Sequence, residues 1–196
     1  MRSTAEPRCR SKLVPVVVVV MVLAGCAQSG SLSAPSTKRP ALESNGIGNV
    51  HFGLSKVKTV AALQAWLGNP NATGINTGCG PAFTEVAWHD LIAEFRHGSF
   101  TGYRYVSGGY PLTTPGSPHD PVSPTSRTPA LTTARGITLS STLKELQAEY
   151  PGLIQSGALK WTAPNELAFV ASPATKKPAS PTATIAEIKT GTCGDF

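Results

Sequence analysis

From Val50 to Val106 the spacing of apolar and polar positions changes period twice. Val50-His51-Phe52 alternates as a short strand, and Gly53 breaks it. Val57, Val60, Ala61, Leu63 and Leu67 then recur at helical intervals, which predicts a helix to about Leu67 with those five on one apolar face. Ser55 is placed to cap it, because a hydroxyl there accepts a hydrogen bond from an otherwise unpaired N–H. Gly68-Asn69-Pro70 stops it. After a loop through Gly78-Cys79-Gly80-Pro81, two strand-like runs follow, Phe83 to Trp88 and Leu91 to Phe95, joined by His89-Asp90. Arg96-His97-Gly98 turns the chain into Phe100 to Val106, so the pattern predicts an antiparallel meander.

Residues 107–130 carry Gly, Pro, Ser and Thr throughout and read as a long surface loop. The pattern then restarts. Leu131 to Thr133 is a strand candidate, Gly136 breaks it, and Thr142 with Glu145 fits a capping box in which each side chain satisfies the other's backbone N–H. Leu143, Leu146 and Tyr150 line one helix face, and Pro151-Gly152 ends the helix. Strand candidates follow at Leu159 to Thr162, Leu167 to Val170 and Thr184 to Lys189, the last two separated by a Pro-rich loop over 172–182. The halves align at one offset: Gly53 with Gly136, Thr59 with Thr142, and Leu63-Gln64-Ala65 with Leu146-Gln147-Ala148. The expected fold is therefore α+β: two tandem repeats, each a helix plus an antiparallel meander, forming one sheet-and-helix domain. Repeat one covers about 46–106 and repeat two about 131–196.

The N-terminus is of another kind. Arg2, Arg8, Arg10 and Lys12 lead into an apolar run from Leu13 to Leu23, which has the form of a secretory signal. That run is shorter than the roughly 20 residues that span a bilayer. Leu23-Ala24-Gly25-Cys26 resembles the lipobox of bacterial lipoproteins. The resemblance implies removal of residues 1–25, lipid on the Cys26 thiol, and a protein held on the extracytoplasmic side of the cell membrane. Residues 27–45 are rich in Ser, Ala, Pro and Gly and bury too little apolar surface to offset their ordering entropy, so 26–45 reads as lipidated cysteine and tether.

The leader also changes the charge picture. It holds four basic residues and one acid, so its removal takes the net charge from +6 to +3. With no basic cluster interleaved with aromatics, nothing points to nucleic acid. Of the four cysteines, Cys9 lies in the leader and Cys26 carries the lipid, which leaves Cys79 and Cys193. In an oxidising compartment two such cysteines usually pair. The bond would close a loop of ~100 residues and stabilise by roughly 4–5 kcal/mol on the chain-entropy model.

Phe52-Gly53-Leu54-Ser55 with Leu67-Gly68-Asn69-Pro70 resembles a motif of a glycine, a short helix, then Leu-Gly-x-Pro before strands. It is similar to the small lipoprotein of outer-membrane assembly machinery and to the tandem-repeat β-lactamase-inhibitory proteins. It also looks like a group of secreted actinobacterial proteins of unknown function. The second half lacks the Leu-Gly-x-Pro ending. The resemblance carries no catalytic residue; it implies action through protein contacts.

The residues themselves offer little chemistry. His89-Asp90 reads as the polar tip of a hairpin, and His119-Asp120 sits in the Pro-rich loop. No H-E-x-x-H or G-x-S-x-G is present. The sequence therefore gives no catalytic residue, no metal ligand and no cofactor. The aromatics fall at core spacing, with one alternative: Tyr103, Tyr105 and Tyr110, around Gly108-Gly109, as a contact surface for a partner. The leading expectation is a lipid-anchored module that binds a protein partner in the cell envelope. A carrier or sensor of a small apolar ligand stands second, and a hydrolase built on His89 and Asp90 third. Alkylation of the folded protein should find neither Cys79 nor Cys193 free; two reactive thiols there would overturn the disulfide.

Overall fold

A computed structural model gives the fold, and it describes residues 39–78, 80–108, 130–165, 167–172 and 180–191. The expected signal segment, Cys26, Cys79, Cys193, Tyr110 and His119-Asp120 lie outside the described residues. Twelve strands and two helices are described in the order β1 (Ala41–Glu43), β2 (Gly46–Ile47), β3 (Val50–His51), α1 (Lys56–Leu67), β4 (Ala72–Asn76), β5 (Phe83–Trp88), β6 (Leu91–Arg96), β7 (Ser99–Val106), β8 (Thr132–Thr133), α2 (Leu143–Glu149), β9 (Ile154–Gln155), β10 (Lys160–Thr162), β11 (Ala168–Ser172) and β12 (Thr184–Thr190). The domain is α+β, and sheet dominates it.

Eight strands form one antiparallel sheet in the order β4-β5-β6-β7-β12-β11-β10-β9. Each helix is followed by four of these strands, and the two sets meet where β7 pairs with β12. Apolar residues at every second position give the sheet its packed face. The register sets Trp88, Leu91, Tyr105, Ile188, Phe169 and Trp161 side by side across six strands. All six are buried, and they share one core with Leu63 of α1, Leu143 and Leu146 of α2, and Leu42, Ile47 and Val50. Those last three belong to a small second sheet, β3-β2-β1-β8, in which only the β1–β8 pair is parallel. Helices and small sheet thus pack on the same face of the large one.

The turns follow from residue type. His89 and Asp90 form a two-residue hairpin tip between paired Trp88 and Leu91, with His89 at φ 51°. His97 and Gly98 connect Arg96 to Ser99 with φ of 50° and 77°, the left-handed pair that a type I′ turn requires.

Both helices are fastened the same way. The residue before each N-cap accepts from the strand, Phe100 N–H to Leu54 O at 2.8 Å and Ile185 N–H to Ser141 O at 2.8 Å. The first residue of each helix donates back, Lys56 N–H to Gly98 O at 2.7 Å and Leu143 N–H to Ala183 O at 2.8 Å. The caps Ser55 and Thr142 therefore sit opposite Ser99 and Thr184, the first residues of β7 and β12.

Several expectations change here. Strands β4 and β9 fall where the sequence pattern assigned no element, and among the described residues a strand is already present at Ala41–Glu43, before Gly46, with Leu42 fully buried. Helix α1 buries Thr59 and Leu63 and leaves Val57 80% exposed, so the expected stripe through Val57 and Ala61 faces solvent. The helix is apolar nearly all round, so spacing alone does not fix its rotation; the bonds that pin its N-terminus do. The bridges set Ser55 opposite Ser99 and Thr142 opposite Thr184, whereas the expected alignment paired Thr59 with Thr142.

The two caps differ in chemistry. Thr142 completes the expected box: its Oγ1 accepts from Glu145 N–H at 3.2 Å, and Glu145 Oε2 accepts from Thr142 N–H at 2.6 Å. That backbone bond, followed by the hydroxyl's, lowers the Glu145 pKa. Ser55 makes no side-chain cap bond. Thr142→Ala should therefore cost about 1 kcal/mol in urea denaturation, and Ser55→Ala distinctly less; equal losses would show that the Thr142 bonds contribute nothing.

Candidate functional site: a charged cluster within the sheet

The large sheet's other face holds charge. Gly74, Glu85, Glu94 and Gly102 occupy one cross-strand row on β4, β5, β6 and β7, out of phase with the row Val86, Ala93, Tyr103 that faces the helices. Glu85 and Glu94 are direct cross-strand partners, an arrangement in which like charges repel. Arg104 of β7 answers both: its Nε donates to Glu94 Oε1 at 2.9 Å and its Nη2 to Glu85 Oε1. Asn76 Nδ2, on β4, donates to the same Glu85 oxygen at 3.0 Å. The second oxygen of each acid, Oε2, is buried and has no hydrogen-bond partner among the described residues.

The acids are deep in the structure, with Glu85 at 0% and Glu94 at 2% exposure. Burial of this kind disfavours the ionised form. It raises the Glu94 pKa to about 7; the Glu85 carboxylate adds to the rise, while Arg104 and Arg96 oppose it. Ile92, Ala87 and Ala168 are buried on the same face. Farther along it, Glu187 and Lys189 of β12 approach to 3.9 Å, and the Arg96 guanidinium lies 4.8 Å from the Phe83 ring centre.

The cluster is not among the residues the sequence pattern singles out. The pattern predicts Phe83 to Trp88 and Leu91 to Phe95 as strands and assigns no role to the acid inside each. The usable signal was that Glu85 shares its phase with Ala87, and Glu94 with Ile92, within runs apolar on both phases. An acid in such a run belongs to a buried face and needs a cation, and Arg104 is the basic residue inside the next strand.

The expected tyrosine surface is corrected. Tyr103 and Tyr105 are buried at 0% and 4% exposure on the helix-side face. The Tyr103 hydroxyl donates to Glu43 O at 2.9 Å, and the Tyr105 hydroxyl accepts from Leu131 N–H at 3.2 Å. Both tie the small sheet and its neighbouring chain to the large one, and burial raises both phenol pKa values. They are core residues with a polar tip. His89 stands at its hairpin tip, where its backbone N–H donates to Asn71 Oδ1 at 2.7 Å, and His51 and His97 are exposed elsewhere.

A cleft of about 290 Å³ opens beside α2, lined by Gln147, Tyr150, Gly152, Leu153, Gln155 and Trp161. Two amides and an open mouth make it a poor match to the deep apolar pocket that a carrier of apolar ligands needs. Among the described residues no helix is long and apolar enough to cross a membrane. No protein family, curated protein or solved structure matches this chain.

Removing the shared cation should be costly. Arg104→Met leaves two buried acids without their counter-charge and should lose about 3–5 kcal/mol in chemical denaturation at pH 8. A loss below about 1 kcal/mol, the size of a surface ion pair, would show that the cluster is solvated in solution.

Proposed function

We propose that this chain is a lipid-anchored envelope protein whose domain acts by binding an extended segment of a protein partner at the edge of its sheet. The observation that carries the reading is the character of strand β4. It ends the eight-stranded sheet, runs five residues in unbroken register with β5, and bears no charge. Natural edges are usually guarded by brevity, charge or proline, because unpaired N–H and C=O groups invite another strand. At the opposite edge β9 is only two residues long. On β4, Thr73 is exposed, and so is Ile75, at 56%. A partner strand added here gains main-chain bonds, and its alternate side chains meet Thr73 and Ile75.

In this reading Cys26 holds the lipid, the Ser- and Pro-rich tether lifts the domain from the membrane, and the domain is a binder and not an enzyme. We also read the domain as two copies of one helix-plus-meander unit. What supports that is the matched pair of hydrogen bonds at the start of each helix, together with the bridges Ser55 to Ser99 and Thr142 to Thr184. The second copy's outer strand is shorter, so among the described strands the first copy offers the longer edge.

A photo-crosslinking residue at position 75, activated in intact membranes, should capture one dominant protein. Ile75→Lys should cut the protein's recovery with an affinity-tagged chain roughly tenfold, about 1.4 kcal/mol of binding. A labelled chain that captures no protein above background, or a partner recovered equally well by the lysine variant, would overturn the edge as the docking site.

A further inference from the structure

Independently of what the edge strand binds, the buried carboxyl pair has a property of its own. Among the described residues, the groups that face the pair are Asn76 from β4, Arg96 from β6, Arg104 from β7, and Glu187 and Lys189 farther along on β12. Arg104 bonds one oxygen of each acid, and the other oxygen of each is buried and, among the described residues, unpartnered. Among the described residues Arg104 is the one cation bonded to the pair, and one guanidinium balances one carboxylate; Arg96, over the Phe83 ring, acts on Glu94 only through its field. A proton on the pair removes the remaining charge and supplies the O–H donor that the two bare oxygens lack.

We propose that Glu85 and Glu94 form a proton-binding device: the folded domain holds one proton on the pair, at Glu94, and its release in alkaline surroundings loosens the β4–β7 half of the sheet. The geometry places the consequence there. Asn76 ties β4 to Glu85, Glu85 and Glu94 face each other across β5 and β6, and Arg104 closes the set from β7. All four strands of the first meander therefore contribute a side chain to one buried charge balance. The direction of the shift agrees, since burial and the adjacent carboxylate raise the Glu94 pKa to about 7 from an ordinary 4.5.

The sign follows from linkage. An acid whose folded pKa is raised binds its proton more tightly in the folded state, so the stabilisation is full below the unfolded value near 4.5 and is lost as pH rises through about 7. Between pH 5 and pH 8 the folding equilibrium constant should fall roughly 70-fold from this group alone.

The test is denaturant unfolding of the purified protein at both pH values, for the native sequence and for Glu94→Gln, with a ¹³C NMR titration of the Glu94 carboxyl in the native protein. Glutamine keeps an acceptor for Arg104 and cannot ionise. The proposal expects the native protein to weaken at pH 8, the variant to lose most of that dependence, and the Glu94 carboxyl to titrate near neutrality. Equal pH dependence in the two proteins, or a Glu94 carboxyl that titrates in the ordinary range near 4.5, would overturn it. Should the variant fail to fold, the native titration decides the matter alone.

Discussion

Where β7 pairs with β12, four residue pairs join segments about eighty positions apart: Glu187 with Val106, Ile188 with Tyr105, Lys189 with Arg104, and Thr190 with Tyr103. Everything else in the domain depends on that seam. On one face it sets Tyr105 beside Ile188 and so makes one apolar row out of two meanders; a lone four-stranded unit has little core of its own. On the other it sets Lys189 beside Arg104, at the margin of the acid pair. The seam also needs close backbone approach at its end. A side chain at Gly102 would come within 2.7 Å of Gly191 O, and one at Gly191 within 2.2 Å of Thr101 O. The glycines there allow β12 to run against β7 to its last residue.

The two faces of the sheet solve different problems. The helix side is ordinary core: aromatic and aliphatic side chains in mutual contact, with phenol tips satisfied by main-chain partners. The other side buries acids, and a buried acid costs free energy unless a cation and donors surround it. Arg104 and Asn76 supply three hydrogen bonds to two carboxyl groups. Among the described residues the directly bonded set falls short by one charge and leaves two bare oxygens, a shortfall that a single proton reduces. Charge economy, more than packing, distinguishes the first meander.

The sequence made some of this legible and hid the rest for identifiable reasons. The breaks and stops of α1, the capping box at Thr142, and strands β5, β6, β7 and β12 each have a strong local signal: glycine, proline, a hydroxyl three residues from an acid, or steady alternation. Strand β4, Ala-Thr-Gly-Ile-Asn, has almost none, because an edge strand half in water needs little apolar surface. The register of β7 on β12 is non-local and leaves no mark in either segment. The charged cluster was half legible: each acid was visible within its strand, but their meeting depends on how β5, β6 and β7 align. The tyrosines misled for a simpler reason. Their place beside a glycine-rich turn suggested exposure, while their alternation with Gly102 and Arg104 already gave β7 one aromatic face.

The strand order also has a temporal consequence. Each meander is laid down from the sheet's rim inward, so β7 is complete well before the chain reaches Thr184. Until β12 exists, the inner edge of the first meander is open along Tyr103 to Val106, with large aromatic side chains and unpaired main-chain groups beside one another. An intermediate of that kind is prone to pair with the wrong strand. A chain that emerges from its N-terminus first therefore passes through its most adhesive state late, and the final strand both completes the fold and ends that exposure.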